Sequence, residues 1–228
     1  MPRVRSNTLL DRSDVPRASS QGPAANGRTV AVWQGASRIT STGVQASVLP
    51  PGGTWSEPVT VAPAGINPQV AVDAAGDAVA LWATSSSSIA SAQAAVLQAG
   101  GTWSAPRTLG TGVTPSLAAS GQGVAPWTGG NGVQAATARH SQGGGWTAPA
   151  QLATSPSSPS GRIAVTPAGS FVVTYAGDAS TSPPGQGFGA PVNLAPSSNV
   201  MQLSAAAGHA LAILAMGSNL TAATEPVT

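Results

Sequence analysis

One phrase recurs along this chain of 228 residues, and it constrains the fold more than any other feature. TVAVW ends at Trp33, AVALW at Trp82 and GVAPW at Trp127, and FVVTY ends a fourth copy at Tyr175. A glycine stands six residues before each: Gly27, Gly76, Gly121 and Gly169. The same interval separates Gly208 from Leu214 in a fifth copy, and the glycines lie 49, 45, 48 and 39 residues apart. A second phrase follows the first: GTWSEP around Trp55, GTWSAP around Trp103, GGWTAP around Trp146 and GFGAP around Phe188. In each, a proline follows the aromatic by three residues: Pro58, Pro106, Pro149 and Pro191. Self-similarity at this period means that one supersecondary unit is repeated and buries its apolar face against copies of itself.

Each unit reads as four short strands. The first is PQVAVD, 68–73, with counterparts PSLAAS, GRIAVT and MQLSAA. A glycine-containing turn leads to the aromatic-ended second strand, since glycine supplies the positive φ that tight hairpins need. The third is VQASVL, AQAAVL or VQAATA, and the fourth is expected over TWSAPRTL. Proline removes a ladder donor there and makes that strand an edge. Four strands per unit of about 45 residues point to an all-β chain, a β-propeller of about five blades with mostly four antiparallel strands each. A sandwich and an open β-solenoid are the competing architectures. The expected organisation is one domain over 1–228, with repeats near 14–62, 63–110, 111–155, 156–196 and 197–228. The fifth repeat has no fourth strand of its own, and residues 4–10 (VRSNTLL) are spaced from Pro16 as a fourth strand would be. They are therefore expected to complete the last blade and close the ring. Only 13 residues separate Tyr175 from Phe188, against 19 to 22 in the other copies, so the fourth unit reads as an eroded repeat, with a missing third strand that leaves a groove at the rim as the alternative.

Composition removes several chemistries. There is no Cys, which excludes disulfides, thiolate metal sites and Cys nucleophiles, and no Lys, which excludes a Walker lysine and a Schiff base. A charged fraction of 7% beside 41% hydrophobic residues argues against global disorder. No apolar run is long enough for a membrane-spanning helix. Six of the nine Arg fall within the first 38 residues, but Asp11 and Asp14 interrupt them and the net charge is only +2. That is a poor stripe for phosphate, and no nucleic-acid partner is expected. Residues 1–20 lack the apolar core of a secretory signal. Trp33, Trp55, Trp82, Trp103, Trp127, Trp146 and Tyr175 occupy repeated slots. Together with the glycines Gly27, Gly76, Gly121, Gly169 and Gly208 they read as structural markers that pack neighbouring units.

The GTW phrases resemble the tail of the Asp-box, S-x-D-x-G-x-T-W, of bacterial sialidase-like (BNR) propellers. Gly52, Thr54 and Trp55 match, as do Gly100, Thr102 and Trp103. The Ser and Asp slots hold Val48 and Pro50, Val96 and Gln98, or Arg139 and Ser141, and Gly145 replaces Thr in the third copy. In that family the box lies between the third and fourth strands, as it is expected to here. The longer phrase also resembles repeats of uncharacterised secreted proteins of high-GC bacteria, which implies an extracellular or cell-surface location. The family's catalytic set is an arginine triad, a Tyr paired with Glu, and an Asp acid. None of it carries over: Tyr175 fills a repeated aromatic slot and Glu57 lies in the outer SEP phrase.

Candidate site residues are few. Arg162 occupies the first-strand slot that holds Gln69, Ser116 and Gln202 in other units, where an anionic ligand is a natural partner for Arg. Gln69, Gln202 and Arg162 are therefore the candidate ligand-binding residues. Asp73 and Asp77 flank the Gly76 turn, read as capping backbone amides, with Ca²⁺ as the alternative. His140 and His209 have no partner cluster, and no G-x-S-x-G is present. The reading is a non-catalytic secreted or surface binding module for a glycan or extracellular protein, monomeric and without cofactor or metal. The alternatives are a sialidase-type glycoside hydrolase and a structural fragment of a larger repeat protein.

Overall fold

The computed structural model describes residues 17–23, 26–35, 43–73, 75–85, 90–111, 122–129, 132–139, 145–146, 148, 150–153, 162–166, 170–175, 178–184, 186–194, 199–206, 209–216 and 219–226. Among them there are strands and turns but no helix. The turns at Gly121, Gly169 and Gly208, together with Ser116, His140 and the 4–10 segment, lie outside the described residues.

Among the described residues, nineteen strands form five antiparallel sheets in chain order. Sheet 1 contains β1 (Arg17–Pro23), β2 (Thr29–Gln34), β3 (Val44–Leu49) and β4 (Val59–Ala62). Sheet 2 contains β5 (Ile66–Val72), β6 (Ala78–Ala83), β7 (Ser91–Leu97) and β8 (Arg107–Thr111). In sheet 3, β10 (Gly132–Arg139) pairs with β9 (Gln122–Gly129), β11 (Gly145–Trp146) and β12 (Ala150–Ala153). Sheet 4 contains β13 (Arg162–Val165), β14 (Phe171–Tyr175), β15 (Asp178–Ser182) and β16 (Val192–Asn193). Sheet 5 contains β17 (Asn199–Ala206), β18 (His209–Met216) and β19 (Asn219–Pro226). Sheets 1, 2, 4 and 5 are simple meanders in which each strand pairs with the next.

Two expectations are corrected. The fourth strand is interrupted rather than continuous over the GTW phrase: Trp103 makes a single bridge to Leu97 and Gly145–Trp146 forms the short β11, while the regular strands β4, β8, β12 and β16 start after the proline, at Val59, Arg107, Ala150 and Val192. Proline cannot donate to the ladder, and it stands in the break between the aromatic and the regular strand. The fourth unit does have a third strand, β15, whose sequence DASTS has no apolar alternation to mark it. Its backbone pairs with all of β14, from Tyr175↔Asp178 to Phe171↔Ser182. The short Tyr175–Phe188 interval still contains a third strand, five residues long.

The turns follow from glycine. Gly52 (φ 66) and Gly100 (φ 77) are third in the turns closed by Gly53 N–H to Pro50 O (3.1 Å) and Gly101 N–H to Gln98 O (2.9 Å). Positive φ at that position is what a type II turn demands. The serine after each Trp then fastens the loop to the third strand. Ser56 Oγ accepts from Val48 N–H (3.1 Å) and Ser104 Oγ from Val96 N–H (3.0 Å).

Successive sheets pack face to face, the front face of one against the rear face of the next. Val30, Val32, Val44 and Ala46 of sheet 1 form a core with Val70, Val72, Ala78, Ala80 and Trp82 of sheet 2. The alternate residues of sheet 2, Val79, Leu81, Ala94 and Val96, cluster with Trp146 of sheet 3. Leu152 of sheet 3 meets Val173 and Tyr175 of sheet 4, and Val172 and Ala179 on the other side of sheet 4 meet Leu203 of sheet 5. Both faces of β6 and of β14 are therefore buried throughout, which explains their near-continuous apolar sequences. The apolar residue of the fourth strand or just past it, Val61, Leu109, Leu152 or Leu194, joins the core shared with the following sheet. First strands also meet: β1 packs on β5 and β13 on β17.

Candidate functional site

The candidate residues occupy one register position on the first strands. Gln69 on β5 is directly opposite Leu81 on β6. Arg162 on β13 is opposite Thr174, and Gln202 on β17 is opposite Ile213. Ser20 on β1, opposite Val32, belongs to the same set and was missed from the sequence. Its unit has no PQV-like phrase, and only the partner Val32, one residue before Trp33, reveals the alignment. The residue opposite each slot is the one preceding the aromatic-slot residue, so the slots are equivalent from sheet to sheet. Gln69 is half-buried. The strands that carry the slots of sheets 4 and 5, β13 and β17, pack on each other. No contact joins β5 directly to either of these strands at comparable strength.

The aromatic markers divide by environment. The Trp82 indole N–H donates to Gln93 Oε1 (3.1 Å), and the Trp33 N–H to Gln45 Oε1 (3.0 Å). Both pairs are cross-strand neighbours, as are Trp127 and Gln134. The register between third and fourth strands shifts immediately before Gln45, Gln93 and Gln134. A bulge at this point re-aims the side chains that follow it. The repeated Gln of VQA and AQA was visible in the sequence, but its role as the indole's acceptor needed the register. Trp82 is fully buried (0% exposed), Trp146 is 7% exposed, and Trp103 is half-buried against the core shared by sheets 1 and 2. The packing role expected of the whole set does not extend to Trp55, which is 39% exposed. It belongs to the sheet with no preceding sheet against it among the described residues. The Trp127 side chain lies outside the described residues.

Tyr175 is enclosed between sheets 3 and 4 at 2% exposure. Its hydroxyl donates to Leu152 O (3.0 Å) and shares a 2.8 Å hydrogen bond with Ser180 Oγ. Burial pushes its pKa above 10.0, the Ser180 hydrogen bond opposes this, and the Asp178 charge adds to it. A phenol held neutral and already hydrogen-bonded is poorly disposed to act as a nucleophile.

The acids of sheet 2 serve turns. Asp73 Oδ1 accepts from Asp77 N–H (2.8 Å), and Asp77 Oδ1 accepts from Ala99 N–H (2.6 Å), linking the two turns at one end of the sheet. Among the described residues no three His, Cys, Asp or Glu side chains gather as a metal site. Glu57 is exposed, in the loop before β4. The neighbouring turn of sheet 1 docks on the same place: Asn26 Nδ2 donates to Ala75 O (3.1 Å) and Arg28 Nη1 to Gly76 O (2.7 Å). Arg28, one of the six N-terminal arginines, thus joins two sheets. No helix among the described residues is long and apolar enough to cross a membrane.

No protein-family model matches the sequence, and no curated protein matches it. Solved structures do resemble the fold. A protein of unknown function from Dyadobacter fermentans aligns with a TM-score of 0.52 at 12% identity, over 96% of this chain and 84% of its own. A fungal lectin from Aleuria aurantia, described as a six-bladed β-propeller with a novel fucose recognition mode, aligns with a TM-score of 0.45 at 10% identity, over 91% and 90%. A glycosyl hydrolase from Bacteroides ovatus aligns with a TM-score of 0.41 at 12% identity, over 94% and 86%. At these identities the likeness is one of fold alone, and the chain itself is all-β, built of successive antiparallel sheets.

Proposed function

We propose that the chain is a single β-propeller domain whose five sheets are blades, and that it is a binding module for a glycan. The observation that carries the ligand reading is the polar slot repeated on the first strands, at Ser20, Gln69, Arg162 and Gln202. In a molecule whose sheets bury apolar residues on both faces, this row is neutral and polar in three of four sheets. Amide and hydroxyl side chains both donate and accept, which suits a ligand covered in hydroxyl groups. Binding without chemistry is supported by the acids: Asp73 and Asp77 hold turns, and Asp178 accepts from Asn193 Nδ2 (2.7 Å). Glycoside hydrolysis needs two carboxyl groups flanking the scissile bond, and the Tyr175 phenol is committed to packing. An extracellular or surface location, a monomeric state, and residues 4–10 as the strand that completes sheet 5 belong to the same reading. Its test is a glycan array probed with the full chain and with Gln69→Leu and Gln202→Leu. Binding to one glycan class, weakened about tenfold per lost hydrogen bond, is expected. A folded wild-type chain that binds no glycan would overturn it.

A further inference from the structure

The turn that opens β2 carries a chemically labile pair. Asn26 precedes the marker glycine Gly27, whereas the same position in the other units holds Ala75, Ser120, Ala168 or Ala207. Asn26 and Gly27 are both exposed, and Gly27 has φ 82. Asparagine is thermolabile, and a glycine after it lacks the Cβ that would shield the backbone nitrogen next to the amide. Asn67 precedes Pro68, whose nitrogen has no proton to lose, and Asn193 precedes the bulkier Leu194. The side-chain amide of Asn26 is held at both ends. Arg28 N–H donates to its Oδ1 (3.0 Å), and its Nδ2 donates to Ala75 O in the turn of sheet 2 (3.1 Å). The first bond closes an Asx turn. It also keeps a donor on the oxygen where negative charge develops when a nucleophile adds to Cγ. The second bond, with Arg28 Nη1 to Gly76 O (2.7 Å), fastens the turn of sheet 1 to that of sheet 2. The fit is close: a Cβ on Gly76 would lie 2.9 Å from Asn26 Nδ2 and 3.2 Å from Arg28 Cδ.

We propose that Asn26 is a self-modification site: it deamidates in the folded chain, and the product unfastens sheet 1 from sheet 2 at this end. The Gly27 nitrogen attacks Asn26 Cγ and gives up its proton to water. The Cγ–Nδ2 bond breaks, and Nδ2 takes a proton and leaves as ammonia. Water then opens the cyclic imide. Cleavage of the bond from nitrogen to Cγ gives Asp, and cleavage of the bond from nitrogen to the main-chain carbonyl carbon gives isoaspartate. The carboxylate of Asp has no proton to donate to Ala75 O and stands against it as a second acceptor. Isoaspartate also adds a methylene to the main chain of the turn, which displaces Arg28 from Gly76 O. The experiment uses the full chain carrying Asn131→Gln, which leaves Asn26–Gly27 as the one Asn-Gly pair. The protein is aged at mildly alkaline pH, folded and in urea, and followed by peptide mapping that separates Asn, Asp and isoaspartate. Asn26 should convert in the folded chain while Asn67 and Asn193 stay intact. Gly27→Ala should slow the conversion about tenfold or more, folded and in urea alike, so that a folding defect cannot account for the effect. The converted chain carries one more negative charge and is separated by ion exchange. Its backbone amides around Gly76 should exchange hydrogen about tenfold faster, with those of β14 unchanged. Conversion confined to the urea-unfolded chain overturns the proposal, because the two bonds then protect Asn26. Conversion in the folded chain with unaltered exchange around Gly76 upholds the modification site and overturns the unfastening. Neither result depends on whether the chain binds a glycan.

Discussion

Sheets 1 and 2 carry the same markers in the same slots, yet their aromatic residues have different surroundings. Trp82 in sheet 2 is fully buried, while its counterpart Trp33 is only half-buried. Trp103 is half-buried against the core shared with sheet 1, while its counterpart Trp55 is 39% exposed. Both indoles of the first slot keep the same hydrogen bond, to Gln93 and Gln45. The local structure is thus the same, and the difference comes from the rear face. Sheet 2 has sheet 1 behind it, and sheet 1 has no such neighbour among the described residues. A repeated aromatic residue is a core residue only where another sheet covers it.

The comparison can be broken most directly at the first slot. Trp82→Ala should destabilise the chain by about 3–5 kcal/mol in urea denaturation. Trp33→Ala should cost roughly half as much, because less of its surface leaves water on folding. Equal losses would mean that the rear face of sheet 1 is covered in solution, as ring closure requires. A second probe acts from the backbone. A Cβ at Gly65 would lie 2.5 Å from Trp82 Cδ1 and 2.6 Å from Val44 Cγ2, both in the core between sheets 1 and 2. Gly65→Ala should cost about 1–3 kcal/mol by overpacking. A neutral result would show that the interface yields more than its burial suggests. The outer slot should give a smaller contrast: Trp103→Ala is expected to cost about 1–2 kcal/mol, and Trp55→Ala within about 0.5 kcal/mol. Thermal melts of the two variants side by side provide the check.

The smallest effect concerns sheet 4, where Tyr175 takes the aromatic slot. Burial, the largest cause, raises its pKa above 10.0. The folded chain therefore holds the phenolic proton to higher pH than the unfolded chain. The associated stability is complete below pH 10 and is lost as pH rises through the raised value. Tyr175 is the one tyrosine, and the chain has no Cys and no Lys, so no other side chain titrates in that window before Arg. Denaturation midpoints should fall above about pH 10 in the wild type. Tyr175→Phe should remove the slope, at the expense of the bonds to Leu152 and Ser180. A slope that persists in Tyr175→Phe would assign it to some other group.

Much of the strand pattern was legible because its determinants are local. Glycine at positive φ marks turns, and TVAVW and AVALW alternate or bury as strands must. What failed to read was also local in cause. DASTS forms β15 by backbone pairing, with Ala179 in the core and Ser180 bonded to Tyr175 but no apolar pattern to mark it, and the GTW phrase pairs only briefly before a proline delays its regular strand. Gln69, Arg162 and Gln202 were selected by repeat spacing, and the register then added Ser20.

The sequence by itself determined the repeated unit, its turns and the identity of the residues in each slot, since these depend on contacts between near neighbours in the chain. The tertiary structure decided which copies of a slot are buried, which face each strand presents to which sheet, and that Arg162 and Thr174 stand opposite each other. Burial belongs to the neighbouring sheet as much as to the residue itself, and cross-strand pairing joins positions that no local pattern connects.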